Sequence, residues 1–148
     1  VFRKVNKDNI ILNFFGDGES MDRLIQYAKL KNIQNVKFHG QVAELNKEIS
    51  KCNFFLSCSE FEGLPISVIE ASFSGLIKIL PNNEEFKAFK SKSTIFYNRE
   101  NPYELLEILN NLDQIFSNLN NQAVIDIEYF QGKFNIQHTA QRYKESYS

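Results

Sequence analysis

The chain has 148 residues and a formal net charge of −1, so it has the size of a single domain and no excess of positive charge for binding nucleic acid. Hydrophobic residues make up 43% of it, enough for a substantial core, and no apolar run approaches the length of a membrane span. Two cysteines, Cys52 and Cys58, predict free buried thiols rather than a disulfide or a metal site. We therefore expect a cytoplasmic protein.

Apolar segments of strand length alternate with amphipathic segments of helical length along the chain. The predicted strands are residues 10–15, 36–39, 53–58, 76–80 and 94–97. The predicted helices are residues 20–31, 43–51, 65–74, 82–90, 102–117 and 135–147. This alternation with short links predicts an α/β fold, a Rossmann-like parallel sheet with helices on both faces.

Two of these segments carry more specific expectations. The predicted buried face of the helix over 20–31 consists of Leu24, Ile25, Ala28 and Leu30. Residues 117–123, which are rich in Asn, are predicted to form a loop or a frayed helix end.

Residues 61–71, with the sequence FEGLPISVIEA, form the most informative stretch of the chain. They follow the predicted strand over 53–58 and contain two glutamates, Glu62 and Glu70, eight positions apart. Pro65 favours the first turn of a helix, where its missing N–H and fixed φ are tolerated. The sequence therefore predicts a buried strand, then a loop, then the start of a helix.

A helix start of this kind binds a phosphate, because its first N–H groups, here near Ile66 and Ser67, lack partners and the helix dipole favours an anion. Gly63 leaves room for a ligand to approach the backbone. The carboxylates should accept hydrogen bonds from neutral hydroxyls, since they repel the phosphate itself. A sugar–diphosphate–ribose ligand fits, with the sugar near Glu62 and the ribose diol on Glu70. The alternative is two solvated glutamates beside an ordinary turn.

The motif resembles the donor-site signature of retaining glycosyltransferases with the GT-B fold, of the glycosyl transferases group 1 type. Four further blocks resemble that family in order and spacing. They are residues 10–18, 35–42 and 52–60 and the C-terminal stretch from Phe134 to Tyr147. The resemblance covers most of the chain and implies the C-terminal, donor-binding half of the GT-B fold.

The resemblance also implies a role for each matching position. Glu62 is the expected catalytic residue and contacts the sugar hydroxyls, while Glu70 binds the ribose diol. The other positions expected to contact the donor, chiefly through the backbone, are Gly63, Leu64, Pro65 and Ile66, with Gly40 and Val42 beside the nucleotide base. Gly16 and Gly18 are expected to line the cleft. No metal and no other cofactor is implied, because the nucleotide-sugar is a substrate.

The sequence departs from the family pattern in several places. The family's first strand, whose Gly-Arg turn and Lys neutralise the diphosphate, has no counterpart here, and Arg3 and Lys4 are misplaced to replace them. No Lys or Arg lies between Lys51 and Lys78, so the acidic residues there are expected to be uncompensated and to weaken diphosphate binding. Residues 81–85 replace the family's Gly-Gly loop. Without the family's first strand, the family's second and fourth strands, here residues 10–15 and 53–58, are expected to pair directly, leave a gap or borrow a strand from another chain.

These features predict that residues 1–148 are a single, N-terminally truncated donor-binding domain ending in a helix over 135–148. Its expected partners are a nucleotide-sugar and the family's N-terminal acceptor domain, with no nucleic acid and no transmembrane segment. The expected enzyme is a two-domain glycosyltransferase of the hexosyl type, which modifies a polysaccharide, a lipid-linked glycan or a small molecule. We expect it in the cytoplasm or at the inner face of the membrane, and we expect this chain alone to be inactive.

Other functional classes are open to the same sequence. A non-catalytic remnant or interaction module derived from such a domain would keep the fold without turnover. A GT-B epimerase is disfavoured by the spacing of Glu62 and Glu70. A flavodoxin-like regulator is disfavoured because the sequence offers no strand-end acidic cluster with a partner Lys.

Overall fold

A computed structural model describes residues 1–5, 9–63 and 65–135 of the chain. Its strands are β1 (Leu12–Phe14), β2 (Val36–Phe38), β3 (Phe54–Leu56), β4 (Ile77–Pro81) and β5 (Thr94–Tyr97). Its α-helices are α1 (Met21–Leu30), α2 (Leu45–Ile49), α3 (Ile66–Phe73), α4 (Pro102–Asn110) and α5 (Leu112–Lys133). Two 3-10 helices cover Phe2–Lys4 and Glu84–Phe89. Within these ranges, every helix is too short or too polar to serve as a membrane span.

All strand pairs of the described residues are parallel, as the alternation of strands and helices predicts. Strand β4 lies between β3 and β5 in one sheet, with Ile79 opposite Leu56 and Ile95, and β1 pairs with β2 in a second sheet. No ladder joins β1 to β3 in the part of the chain that the structure describes. Of the three expected arrangements of these strands, direct pairing is therefore wrong for the described residues.

Strands β1 and β3 each have one edge outside any described ladder. In β1, the N–H of Leu12 donates to the residue that precedes β2. Because alternate residues of a parallel strand face opposite neighbours, the backbone groups of Asn13 point away from β2. In β3, the N–H of Ser57 donates to β4, so the backbone groups of Leu56 point to the other edge.

Strand β4 is buried along its whole length and separates two hydrophobic cores. Its neighbouring residues Ile79 and Leu80 point to opposite faces, as successive strand residues do. The core on the Leu80 face consists of Val68, Leu80, Phe86, Phe89 and Phe130. The core on the Ile79 face consists of Ile79, Tyr97, Leu105, Leu109 and Leu112. Helix α3 and the later turns of α5 thus pack on the Leu80 face, while α4 and the first turn of α5 pack on the Ile79 face, which confirms the predicted architecture.

The prediction of a loop over 117–123 is wrong, because α5 continues through these residues. Asn and Ser have low helix propensity, but Ala123, Asp126 and Phe130 are buried, and α5 packs against α3 and β4. This tertiary packing outweighs the local preference.

The other predicted helices of the C-terminal half also differ. The helix predicted over 102–117 ends at Asn110, and α5 starts after Asn111. The helix predicted over 82–90 is the 3-10 helix Glu84–Phe89. The helix predicted over 135–148 lies outside the described residues except for Asn135, which is not helical.

Two predictions of burial are wrong. In α1, Leu24 is 40% and Leu30 is 78% exposed, and only Ala28 is buried, because a sheet of two strands offers this helix a narrow surface. Cys58 is exposed and Cys52 is half-buried, although both thiols are free as expected. Cys58 is the second residue beyond the end of β3, and burial at this end of the strand stops at Ser57.

A buried polar network connects β4 to α5. Lys78 on β4 is fully buried, and its Nζ donates to Leu76 O and Ser93 Oγ, both at 3.2 Å. Ser93 donates from N and Oγ to Asp126 Oδ2 on α5, at 3.1 and 2.6 Å. Burial lowers the pKa of Lys78 to about 8, against the attraction of Asp126. Burial acts to raise the pKa of Asp126, but hydrogen bonds from Ser93 and Gln122 hold it below its usual value.

Replacing Lys78 by Met should change how stability depends on pH. The pKa of Lys78 in the folded chain, about 8, lies below the ordinary value of 10.5. As the pH falls, the amine of Lys78 is therefore protonated in the unfolded chain before it is protonated in the folded chain. The free energy of unfolding therefore rises with pH across this window. We expect the wild-type chain to gain about 2 kcal/mol relative to Lys78→Met between about pH 8 and 10, measured by urea denaturation. Subtracting the free energy of unfolding of Lys78→Met from that of the wild-type chain removes the contribution of other titrating groups. If this difference does not change with pH, the account is wrong.

Candidate functional site

The carboxyl ends of β3, β4 and β5 meet at one edge of the three-stranded sheet, because these strands are parallel. Ligands of open α/β sheets bind beyond such an edge. Residues 57–63, here called the β3–α3 loop, follow β3 at this edge and lead to α3. The predicted donor motif therefore lies where the fold favours a ligand.

The start of α3 presents exposed backbone N–H groups. Val68 N and Ile69 N both donate to Pro65 O, at 3.0 and 3.3 Å, and the N–H groups of Ile66 and Ser67 have no acceptor among the described residues. Ile66 and Ser67 are both exposed, the former by 59%. These donors and the positive end of the helix dipole suit an anion. Pro65 is the N-cap of α3, one position before the first turn in which it was predicted.

The two glutamates of the motif have different surroundings. Glu62 is half-buried in the β3–α3 loop, and its Oε1 accepts a hydrogen bond of 2.7 Å from Ser59 Oγ. Glu70 is half-buried on α3, one turn after Ile66, and its carboxylate bonds to none of the described residues. Glu62 is thus held by one hydrogen bond within its loop, while the carboxylate of Glu70 has no such bond among the described residues.

The backbone beside Glu62 is open to a ligand at Gly63. This glycine is exposed, and a Cβ built on it would meet nothing within 4 Å. Packing within the chain therefore does not require glycine at this position. Leu64, the next predicted site residue, lies outside the described residues.

The other predicted site residues form a second group at the ends of β1 and β2. Gly16 N donates to Gly40 O at 2.8 Å, and both glycines have positive φ, 106° and 65°, which favours glycine. Gly18 lies shortly before α1, and Val42 is half-buried. Among the described residues, no hydrogen bond links this group to the β3–α3 loop. The structure therefore places the predicted site residues in two groups.

Sequence analysis missed the residue that anchors the base of the β3–α3 loop. Tyr97, buried at the end of β5, donates from its hydroxyl to Ser57 O at 2.9 Å. Burial and the neighbouring Cys58 raise the pKa of Tyr97, so the hydroxyl keeps its proton. The one sequence signal was an aromatic residue at the end of a predicted strand, and the pairing of β5 with β4 is needed to bring it near Ser57.

Two further residues that sequence analysis missed hold the tip of the loop. Asn83, after β4, donates from Nδ2 to Glu60 O at 3.3 Å, and its own Oδ1 is buried without a partner among the described residues. Arg99, after β5, forms an ion pair with the Glu60 carboxylate at 3.0 Å. The expectation that the acidic residues lack compensation is therefore wrong at Glu60, because the sheet brings a distant arginine to it.

These features together suit a ligand that has both negative charge and hydroxyl groups. The exposed N–H groups of α3 offer donors to an anion, and Glu62 and Glu70 offer acceptors to hydroxyls. In residues 1–5, 9–63 and 65–135, no three His, Cys, Asp or Glu side chains converge as metal ligands do. The expectation that no metal takes part stays a prediction.

A protein-family model identifies the family of the chain. The model described as Glycosyl transferases group 1 matches residues 1–90, which include both positive-φ glycines at the ends of β1 and β2, the β3–α3 loop and α3. The chain belongs to this family. No protein of curated function matches the sequence.

Solved structures confirm the GT-B glycosyltransferase fold. TarM superposes with a TM-score of 0.78 and 19% identity over 95% of this chain and 29% of TarM. HepE from Anabaena, in complex with UDP, superposes with a TM-score of 0.82 and 16% identity over 95% of this chain and 41% of HepE. The pneumococcal O-GlcNAc transferase GtfA, in complex with UDP and GlcNAc, superposes with a TM-score of 0.71 and 18% identity over 92% of this chain and 28% of GtfA. The chain thus spans less than half the length of each of these proteins.

Removing the hydroxyl of Tyr97 should destabilise the chain. Tyr97→Phe leaves the Ser57 carbonyl without its buried donor, which should lower the free energy of unfolding by about 1–2 kcal/mol, measured by urea denaturation. Tyr103→Phe is the matched control, because Tyr103 is 72% exposed, and it should leave stability unchanged. Equal stability of Tyr97→Phe and the wild-type chain would show that this bond does not anchor the loop.

Proposed function

We propose that the chain is the donor-binding domain of a retaining glycosyltransferase and that the donor is a UDP-sugar. The observation that carries the proposal is the start of α3 in a Glycosyl transferases group 1 sequence. There the N–H groups of Ile66 and Ser67, which lack acceptors among the described residues, lie between Glu62 and Glu70. The solved structures of HepE contain UDP or UDP-glucose, and that of GtfA contains UDP and GlcNAc. These ligands support uridine diphosphate as the nucleotide part and a hexose as the sugar.

In this proposal the diphosphate binds at the start of α3. Ile66 and Ser67 donate backbone hydrogen bonds to it, and the helix dipole adds to the attraction. Glu70, one turn further along α3, accepts hydrogen bonds from the ribose diol. After β2, Gly40 and Val42 flank the base. After β1, Gly16 and Gly18 line the cleft.

The β3–α3 loop binds the sugar. The carboxylate of Glu62, held by Ser59, accepts hydrogen bonds from sugar hydroxyls, and the backbone at Gly63 and Pro65 borders the sugar. Transfer breaks the bond between the anomeric carbon and the phosphate oxygen, which keeps the electron pair, while the acceptor hydroxyl bonds to that carbon and passes its proton to the departing diphosphate. The new negative charge develops where the α3 donors lie, so they stabilise the transition state more than the ground state. The proposal needs no metal and no further cofactor.

Acceptor binding belongs in this proposal to a separate domain. The chain spans 29% of TarM and 41% of HepE, which leaves room in such proteins for a second domain. The proposed acceptor is a polysaccharide, a lipid-linked glycan or a small molecule. The 148-residue chain should therefore bind the donor without transferring its sugar. Incubation with radiolabelled UDP-glucose and candidate glycan acceptors tests this, and any donor-dependent transfer would contradict it.

A second candidate is a non-catalytic interaction module derived from such a domain. The edges of β1 and β3 that carry no described ladder favour it, because free edges can pair with a strand of another chain. Nucleotide binding separates the candidates, since an interaction module has no need to bind UDP.

Donor binding should depend on Glu70. We expect calorimetry to show that the wild-type chain binds UDP and that Glu70→Ala weakens binding about 10-fold to 100-fold, because hydrogen bonds to a charged acceptor are lost. Glu128→Ala is the matched control, since Glu128 is an exposed glutamate on α5. A wild-type chain that binds neither UDP nor UDP-glucose would contradict the proposed function. Unchanged UDP binding by Glu70→Ala would contradict only the role of Glu70.

A further inference from the structure

The tip of the β3–α3 loop is exposed. The side chain of Glu60 is 82% exposed and Phe61 is 79% exposed, so hydrophobic packing does little to fix this part of the loop. Exposed loops with few buried contacts are the least stable parts of a fold. Precise placement of Glu62, two residues after Glu60, therefore requires other restraints.

Arg99 supplies a restraint from across the sheet. Strands β3 and β5 lie on either side of β4, so they are about 10 Å apart at the usual strand spacing. Arg99 lies two residues beyond β5, and its long side chain brings Nη2 to 3.0 Å from Glu60 Oε1. Asn83, beyond β4, donates to the Glu60 carbonyl at 3.3 Å. The segments that follow β4 and β5 thus both hold Glu60, the first through its backbone carbonyl and the second through its carboxylate.

Hydrogen bonds within the loop connect this restraint to Glu62. Ser59 N donates to Ser57 Oγ at 3.3 Å, and Ser59 Oγ donates to Glu62 Oε1 at 2.7 Å. Ser57 is fixed in turn by Tyr97. Because Glu60 lies between Ser59 and Glu62 in the chain, fixing Glu60 restricts both ends of their hydrogen bond.

We infer that Arg99 is a positioning residue of the donor site, which orders the β3–α3 loop through Glu60 and so places Glu62 for the sugar. The inference rests on the proposed function. An ion pair this exposed contributes little to global stability, so its effect should appear in the order of the loop. Binding of the sugar should depend on it, whereas binding of the nucleotide at α3 should not.

The experiment compares variants of the 148-residue chain. Arg99→Met, Glu60→Gln and the double variant break the ion pair, and Arg99→Lys keeps the charge on a different side chain. Lys31→Met is the matched control, because it removes an exposed charge at the other end of the fold, after α1. Calorimetry gives the dissociation constants of UDP and UDP-glucose for each variant, and amide hydrogen exchange reports the order of the β3–α3 loop.

Both single variants that break the pair should weaken UDP-glucose binding about threefold to fivefold and leave UDP binding unchanged. The double variant should be no weaker than either single variant, because all three break one interaction. The loop amides should exchange about threefold to fivefold faster in these variants, and Arg99→Lys should restore part of both effects. Lys31→Met should match the wild-type chain.

Two results would overturn the inference alone. One is unchanged loop exchange or unchanged UDP-glucose affinity in Arg99→Met. The other is an equal loss of UDP and UDP-glucose binding, which would mean that Arg99 contacts the nucleotide directly. A wild-type chain that binds neither ligand would overturn the proposed function, and the donor-site role of Arg99 with it.

Discussion

The burial of β4 is the constraint on which the rest of the structure depends. All five of its residues are buried, and it is the only described strand with a partner on both sides. Ile79 and Leu80 belong to the two cores that hold α3, α4 and α5 on the sheet. Because Val68 packs α3 onto the Leu80 face, the position of the N–H groups at the start of α3 follows from core packing. No contact at the site itself is needed to place them.

The candidate site therefore combines two kinds of support. The donors of α3 are backbone groups on a packed helix, so substitutions of exposed side chains should disturb them little. Glu62 lies on a loop whose geometry depends on particular side chains, those of Asn83, Tyr97 and Arg99. Under the proposed function, sequence change at these anchors would alter the fit to the sugar while the start of α3 still binds the diphosphate. Sugar specificity would then vary more easily than phosphate affinity.

Local patterns predict most of the fold and part of the site. Each of the five strands overlaps its predicted range, with boundaries that differ by at most two residues, because each is a short apolar run between turn residues. Glu62 and Glu70 are recognisable because the motif around them is continuous in sequence. The anchoring of Glu60 by Arg99 is not predictable in this way, since it requires the order of β3, β4 and β5. The burial of Lys78 likewise requires α5 to pack on β4, and a lysine in a strand ordinarily indicates an exposed position.

The two groups of predicted site residues differ in how firmly they are connected. The expected contacts to sugar and diphosphate all come from the sheet of β3, β4 and β5 and from α3, so they belong to one packed unit. The expected contacts to the base come from Gly40 and Val42, on a sheet that no described ladder joins to the first. Side-chain packing connects the two, since Ile10 packs on the same core as Phe54 and Leu56. Side chains repack more easily than a ladder of hydrogen bonds breaks. Under the proposed function, selectivity for the base should therefore be more sensitive than sugar or diphosphate binding to what pairs with the edges of β1 and β3.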